Sequence, residues 1–438
     1  MKVLISIMQG LGHLNSVIPL ARALQGDGHE VVFICAPSFH RVVESVGFRA
    51  VPLGIDWLQV PADRRQIRFD RQHLPEAPVP AGFDWHWQRQ GADQPHRDQS
   101  AALPLSAPGP AGVELDGTPP VGLPILASRL VEGVLPDMLQ FVKDWQPDVI
   151  VRNDLDYAAY LAGESCNIPY ATVGNNLLIP NAVLQVMIGP SISAARQRYG
   201  LPPDPDLESL NRYLYLSFTP ASYQSPLDVI PTLHFIRPSI EDSVFGQDGL
   251  LEWINDLADQ PTVYITLGTM FNRTPAIFET ILAGLREEAL NLIVTVGQTQ
   301  SQAPFGAQPT NVHIEHYIPM NMILPYCDAV VCHGGSNTVM TTLSHGLPMF
   351  IVPIAADQPF HAQRCAELGL GLTMVATNLK PEAIRVRVRR LLEEASFRAA
   401  AKRLQREITE MPGPEYAVAL LKQLAKERQP IVTKSAGR

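Results

Sequence analysis

The sequence predicts an α/β protein made of two similar domains, each wound around a parallel sheet. Three observations lead there. The chain has 438 residues, more than one ordinary domain carries. It opens as strand, glycine-containing loop, helix and strand, and the same order restarts at residue 261. With 46% hydrophobic and 18% charged residues it has apolar material for two sizeable cores.

Residues 3–8 form a short apolar run of the kind buried in a parallel sheet, 9–13 a loop, and 14–25 a helix with Ile18, Leu20, Ala21 and Leu24 on one face. After a turn at 26–29, residues 30–35 form a second strand. His13 falls at the strand-to-helix turn, on the carboxyl edge of the sheet where α/β folds place ligands. Its imidazole titrates near neutrality and suits proton transfer. The loop carries Gly10 and Gly12 but not the third glycine of a dinucleotide fingerprint, which disfavours a dehydrogenase.

Residues 61–124 lose periodicity and are rich in Pro, Gly, Gln, Asp and Arg, with Trp85 and Trp87 in an aromatic knot. Such a stretch suits either a binding segment or a surface loop. A helix at 126–142 leads to a strand at 148–151, which ends in Arg152-Asn153-Asp154-Leu155-Asp156. Asp154 and Asp156 spell the Asp-x-Asp of metal-dependent sugar transferases, but nothing else here fits that fold. A helix at 157–166 and a strand at 170–173 follow, and two Pro-rich segments, 201–206 and 226–231, approach a linker at 237–250. The domains are thus 1–236 and 251–415, with 416–438 as a terminal helix and frayed tail.

The second half runs through a short helix at 253–257, a strand and loop at 261–269, a helix at 277–285 and a strand at 292–296. A strand at 328–332 then meets His333-Gly334-Gly335-Ser336-Asn337-Thr338, and 336–344 reads as a helix. Two glycines before a helix that starts on short hydroxyls gather free amides and a positive helix end in one place. That is an anion site suited to a phosphate or diphosphate. Beyond it lie Gly346-Leu347-Pro348, Pro353 and Asp357-Gln358, then helices at 381–392, 395–409 and 416–426.

From His333 to Gln358 the chain resembles, without a gap, the donor-binding signature of the family 1 (UDP-glucuronosyl/glucosyl type) glycosyltransferases, and most of all their bacterial natural-product members. That signature is His-x-Gly-x-Asn-Ser/Thr, a Gly-x-Pro, a later Pro, and Asp-Gln. The resemblance implies the GT-B fold: two facing Rossmann-like domains with an interdomain cleft, the amino-terminal one for the acceptor and the carboxyl-terminal one for a nucleotide sugar. It implies metal-independent, inverting transfer to a hydroxyl of a small, largely apolar natural product such as an antibiotic precursor, with the nucleotide sugar as co-substrate and no other cofactor.

By the same resemblance His13 is the general base, oriented by an acidic residue that falls on Asn153 or, as preferred here, Asp154. Gly12 and Thr269 line the donor, Tyr317 stacks on the base and Met320 pairs with it through its backbone. His333, Gly335, Ser336, Asn337 and Thr338 hold the diphosphate, and Asp357 and Gln358 hold hydroxyls of the sugar. Trp85 and Trp87 line the acceptor pocket. Two departures stand out. Ser16 replaces a usual Pro, and Thr341 replaces the Glu that holds both ribose hydroxyls, which is compatible with dTDP as well as UDP.

A net charge of −9 without a basic stripe argues against nucleic acid, and the arginines at 385–390 read as a solvated helix face. Five scattered cysteines suggest no disulfide framework, and no apolar run approaches a membrane span, so the expectation is a cytoplasmic protein. The sequence specifies no oligomeric state. Two rival readings are a non-catalytic nucleotide-sugar-binding helper and a sugar-nucleotide epimerase of the same fold. The Gly12-His13 pair counts against the first, and Asp357-Gln358 against the second.

Overall fold

The computed structural model describes residues 1–54, 56, 126–224, 230–238, 252–268, 275–297, 305–306 and 308–433. Trp85, Trp87 and Thr269 lie outside the described residues. Two compact units separate, the first holding the described residues up to 56, 126–238 and 411–433, the second those from 252 to 410. No helix among the described residues is long and apolar enough to cross a membrane.

In the first unit the strands are β1 (Lys2–Ser6), β2 (Glu30–Cys35), β3 (Arg49–Pro52), β4 (Val149–Asn153), β5 (Tyr170–Gly174), β6 (Leu214–Ser217) and β7 (Leu233–Phe235). They pair in the order β3-β2-β1-β4-β5-β6-β7, every pairing parallel. Val3, Leu4 and Ile5 are wholly buried, as are Val149, Ile150 and Val151. Central parallel strands are covered on both faces, which is why they read as continuous apolar runs rather than alternating ones. The helices are α1 (Leu11–Gly26), α2 (His40–Ser45), α3 (Val131–Trp145), α4 (Tyr157–Cys166) and α5 (Asn181–Arg198).

Helix α4 falls at its expected bounds, α1 and α3 are shifted, and α2 and α5 were not expected. Helix α1 starts at Leu11 rather than 14, because Gly10 takes φ 150, ψ 140, a conformation open to glycine alone, and turns the chain at once into a helix. Gly12 and His13 therefore sit in its first turn and not in a loop. The buried face of α5, a helix not expected from the sequence, joins Arg196 to Val183, Met187, Ile188 and Ile192. That guanidinium is satisfied internally by Glu164 at 3.2 Å and the Tyr160 hydroxyl at 2.6 Å.

The second unit repeats the plan with β8 (Thr262–Thr266), β9 (Asn291–Thr295), β10 (Val312–Glu315), β11 (Ala329–Cys332), β12 (Met349–Ile351) and β13 (Gly371–Thr373), in the order β10-β9-β8-β11-β12-β13. Its helices are α6 (Pro275–Leu285), the short α7 (Met320–Ile323), α8 (Ser336–Ser344), α9 (Gln358–Glu367), α10 (Pro381–Glu393) and α11 (Ala395–Glu410). The core under the sheet joins Val263, Ile265, Phe278, Ile281, Val331 and Phe350.

The last helix, α12 (Pro414–Glu427), belongs to the first unit and packs on α1, with Lys422 Nζ 2.8 Å from Asp27 Oδ2. The chain past Gln429 is also held as far as Thr433, contrary to the frayed end read from sequence. The Ile431 N–H donates to the Tyr213 carbonyl at 2.8 Å, and the Thr433 N–H to that of Pro231 at 2.9 Å. These carbonyls lie just before β6 and β7, and the Thr433 hydroxyl also donates to the Leu233 carbonyl of edge strand β7.

Each sheet has one point where the order of strand addition reverses: between β1 and β4 in the first unit, between β8 and β11 in the second. Ligands of doubly wound folds bind beyond the carboxyl ends of the strands at such a point.

Candidate active site

In the first unit both residues singled out for proton transfer follow strands at the reversal point. Ser6 of β1 is in register with Arg152 of β4. Beyond Ser6 the chain reaches His13, half-buried in the first turn of α1; beyond Arg152 it reaches Asn153 and Asp154. Gly12 is exposed in that same first turn. Ser16, fully inside, donates its hydroxyl to the His13 carbonyl at 2.8 Å. The residue in place of the usual Pro thus fixes the turn that carries the imidazole.

Asn153 and Asp154 are distinguished by their surroundings. Asn153 is 2% exposed, and its side-chain oxygen accepts from the Leu155 N–H at 3.5 Å, inside the turn. Asp154 is half-buried, with a carboxylate that accepts from Asn176 Nδ2 at 3.4 Å. Asp154 is therefore the member of the pair that presents an acidic group. Asp156 is committed elsewhere: one oxygen caps α4 by accepting from the Ala159 N–H at 3.0 Å, the other accepts from the Ser6 hydroxyl. That capping role accounts for the Asp-x-Asp spelling without a metal. No group of three or more candidate metal ligands occurs among the described residues.

Sequence reasoning passed over Arg152. It is wholly buried in β4 and donates Nη1 to the carbonyls of Asn153, Asp154 and Asp156 at 3.2, 3.1 and 3.4 Å, and Nη2 to that of Leu210 at 2.7 Å. A buried guanidinium needs such partners, and here they are the backbone of the turn that carries Asp154. A charged residue ending the apolar run 149–151 was the available signal.

In the second unit the reversal point is built around His333. Its ring lies against two glycines: a β-carbon placed on Gly268 would stand 2.6 Å from His333 Cε1 and 2.7 Å from Nε2, and one on Gly335 2.5 Å from Nε2. Gly268 also needs the left-handed backbone it adopts, φ +73, after β8. This places the turn before Thr269 directly beside the His-Gly-Gly turn, although 65 positions separate Gly268 and His333 in the chain (333 − 268). His333 Nδ1 has no hydrogen-bond partner among the described residues. Burial pushes the imidazole down to about 4; the nearby Asp357 charge opposes that shift, and His361 adds to it. The ring is neutral at physiological pH and keeps one N–H to give to an incoming anion.

Helix α8 begins immediately after. Its N-cap is Gly335, which has no side chain to satisfy the first amides, and the first bond back onto the cap is Val339 N–H to the Gly335 carbonyl at 3.0 Å. The amides of Ser336, Asn337 and Thr338 precede that bond, and the hydroxyls of Ser336 and Thr338 are each on residues only 9% exposed. Donors, hydroxyls, a positive helix end and a neutral imidazole therefore converge at one corner of the fold. Thr341 follows one turn later, also 9% exposed.

The loop after β12 completes this corner. Gln358 is 1% exposed, and its side-chain oxygen accepts from the amides of Ile354 and Ala355 at 2.8 and 2.9 Å. The residue expected to contact a sugar thus uses its oxygen to fold the loop, leaving its amide nitrogen as the donor. Gln358 also stands beside Gly334, whose added β-carbon would lie 3.3 Å from the Gln358 carbonyl oxygen. Asp357 lies 3.5 Å from His361. Burial would raise its carboxyl, but the neighbouring His361, then its own backbone amide and last His333 bring it below the ordinary value. Tyr317 is half-buried in the loop after β10, and Met320 opens α7 behind Pro319.

Residues 279–424 match the model of the erythromycin biosynthesis protein CIII-like C-terminal domain. Over almost the whole chain the sequence is similar to 3-alpha-mycarosylerythronolide B desosaminyl transferase of Saccharopolyspora erythraea, 27% identical across 98% of this chain and 99% of that one. It is also similar to 10-deoxymethynolide desosaminyltransferase of Streptomyces venezuelae, 26% identical across 98% of each. The chain is a glycosyltransferase similar to the family 1-like natural-product enzymes. Glycosyltransferase VinC in complex with dTDP shares the fold, with a TM-score of 0.72, 23% identity, and coverage of 98% of this chain and 100% of that one.

This glycosyltransferase has the GT-B fold, with the phosphate-type corner in the unit that carries most of the CIII-like match. It is an enzyme, and the reading as a non-catalytic helper and the reading as an epimerase are both set aside. His361, like Arg152, was missed from sequence. Its spacing of four from Asp357 on a helix was the signal that places the two on one face.

Proposed function

We propose that the enzyme transfers a sugar from a nucleoside diphosphate sugar, with inversion at the anomeric carbon, to a hydroxyl of a small, largely apolar natural product. The observation that carries the donor half is the neutral His333 packed beside the uncapped start of α8. Negative charge grows on the diphosphate as the glycosidic bond breaks, and fixed amides and an N–H aimed at that charge lower the barrier without reorganising. These donors take the part that a divalent cation plays in other transferases, so transfer is expected to persist in EDTA. Asp357 and the amide nitrogen of Gln358 hold the sugar, Tyr317 stacks on the base, and Met320 meets it through the backbone.

His13 takes the acceptor proton as the hydroxyl attacks, and Asp154 stabilises the imidazolium that forms. By the resemblance, Gly12 and Thr269 are assigned to the donor and Trp85 and Trp87 to the acceptor. For the nucleotide, Thr341 supports dTDP: a carboxylate accepts both hydroxyls of a ribose, whereas a threonine pairs with one group, as a deoxyribose offers. The relatives are named for desosaminyl transfer to 3-alpha-mycarosylerythronolide B and to 10-deoxymethynolide, and one fold neighbour is in complex with dTDP, which supports this choice of acceptor and donor.

The test is transfer from a panel of dTDP- and UDP-sugars to macrolide, anthracycline and phenolic acceptors in the presence of EDTA, with the anomeric configuration of the product read by NMR. Inverted product from dTDP-sugars is expected. Retained configuration would overturn the single-displacement mechanism, and loss of transfer in EDTA the metal-free one.

A further inference from the structure

Asp357 stands at the N-cap of α9, where a carboxylate ordinarily accepts from amides in the first turn. Here it makes no such bond. Its Oδ2 lies instead 3.5 Å from His361 Nε2, at ion-pair distance though outside hydrogen-bond geometry. The two differ in environment, since the His361 side chain is 1% exposed and that of Asp357 35%. A buried ring thus reaches outward to a carboxylate that meets solvent. The backbone beneath is fixed by other means: Ala356 holds a left-handed φ of +57, and the Gln358 oxygen ties the Ile354 and Ala355 amides. A left-handed non-glycine residue persists only where its surroundings enforce it, as they do at functional turns. The backbone sets where Asp357 is, and His361 sets which way its oxygens face.

We propose that His361 is a positioning residue for donor-sugar recognition: by engaging one oxygen of Asp357 it aims the other at a sugar hydroxyl, so that the pair distinguishes a sugar nucleotide from the bare nucleoside diphosphate. This rests on the reading of Asp357 as a ligand of the donor sugar. A carboxylate free to rotate loses that freedom on binding, whereas one already held does not, so the pair raises affinity by pre-organisation. The bare diphosphate has no sugar hydroxyl to meet, and its binding is insensitive to the pair.

The experiment compares dissociation constants for dTDP and dTDP-glucose, and for UDP and UDP-glucose, by calorimetry on the full chain. Asp357→Ala is expected to weaken dTDP-glucose about tenfold and leave dTDP within about twofold, as a lost hydrogen bond to a charged group implies. His361→Phe, which keeps an aromatic ring without a donor, is expected to weaken dTDP-glucose several-fold and dTDP not at all. His361→Gln, which retains a donor, is expected to restore most of the difference. In the Asp357→Ala background, His361→Phe should add nothing further, because the two act as one unit.

An unchanged ratio in Asp357→Ala would sink the sugar-ligand reading itself, as would a wild type that binds none of the four nucleotides. A changed ratio in Asp357→Ala with wild-type ratios in both His361 variants would overturn the positioning role alone. Should His361→Phe fail to fold, the ratio in His361→Asn, whose shorter amide does not span to Asp357, decides the same point. An equal loss of dTDP and dTDP-glucose in a folded variant would also count against the proposal, because a purely structural defect lowers both.

Discussion

The protonation state of His333 gives the sharpest test of the donor corner. The imidazole sits against the backbones of Gly268 and Gly335 and is 7% exposed, and burial brings it from an ordinary 6.5 down to about 4. That gap corresponds to about 3 kcal/mol against the charged ring. At pH 6 an unperturbed histidine would be about three-quarters protonated, whereas His333 should be about 1% protonated. Labelling the chain with ring-labelled histidine and comparing wild type with His333→Gln identifies its resonance. Its midpoint is expected near 4 without ligand and higher with dTDP, because a bound diphosphate favours the charged ring. The stability consequence has a definite sign. The unfolded chain takes up this proton near 6.5 and the folded chain only near 4, so the contribution of the neutral ring is complete above about 6.5 and is lost as pH falls through the folded value. By pH 5 the loss is about 2 kcal/mol, and His333→Gln should remove it. A midpoint near 6.5 would mean that the ring is solvated, and a midpoint unmoved by dTDP would place the diphosphate elsewhere; either result refutes the reasoning.

Further outcomes follow from single contacts. His13→Ala should lower transfer by roughly a hundredfold to ten-thousandfold in single-turnover assays while dTDP binding is unchanged, as expected for a general base. Gly268→Ala should weaken dTDP at least about tenfold by calorimetry, since the new methyl meets the His333 ring at 2.6 Å and forces a positive φ on an alanine. Thr341→Glu should shift the preference from dTDP- towards UDP-sugars by about tenfold in competition assays, in proportion to one added hydrogen bond to a charged group. Arg152→Met should destabilise the first unit by about 3 kcal/mol in chemical denaturation, because the carbonyls of Asn153, Asp154, Asp156 and Leu210 lose their guanidinium donor, and should lower transfer more than dTDP binding.

How much of this was legible in the sequence depended on whether the physics was local. The strands were readable because central parallel strands are buried on both faces, so that β2 and α4 fall at their expected bounds. The start of α8 was readable because glycines and short hydroxyls at a strand end have few other uses. Helix α5 was not, and its buried Arg196 is intelligible only once Glu164 and Tyr160 are known to surround it. The start of α1 was misplaced by three residues because its cause is the backbone angle of Gly10 rather than a side chain. The hold on Ile431 and Thr433 was invisible because their partners, Tyr213 and Pro231, lie about 200 residues away.

The same distinction separates the parts of the donor corner. Motif spacing pointed to Asp357 and Gln358 as equals, but the fold divides their labour. Gln358 faces inward with its oxygen, and what it holds is the turn that carries Asp357. Asp357 faces solvent, released from capping its own helix and engaged by His361. A substitution at either position is therefore expected to reduce sugar-nucleotide binding, but by different routes. Gln358→Ala leaves two amides without an acceptor in a buried loop, and should lower thermal stability together with affinity for dTDP, with a larger loss for dTDP-glucose because the sugar also loses a donor. Asp357→Ala removes a half-exposed carboxylate and should lower affinity for the sugar nucleotide alone. Two adjacent residues of one motif thus differ in kind, since Gln358 builds the loop with its oxygen as well as offering its nitrogen to the ligand, whereas Asp357 serves the ligand alone. That difference lies in the direction of one amide oxygen, which no spacing encodes.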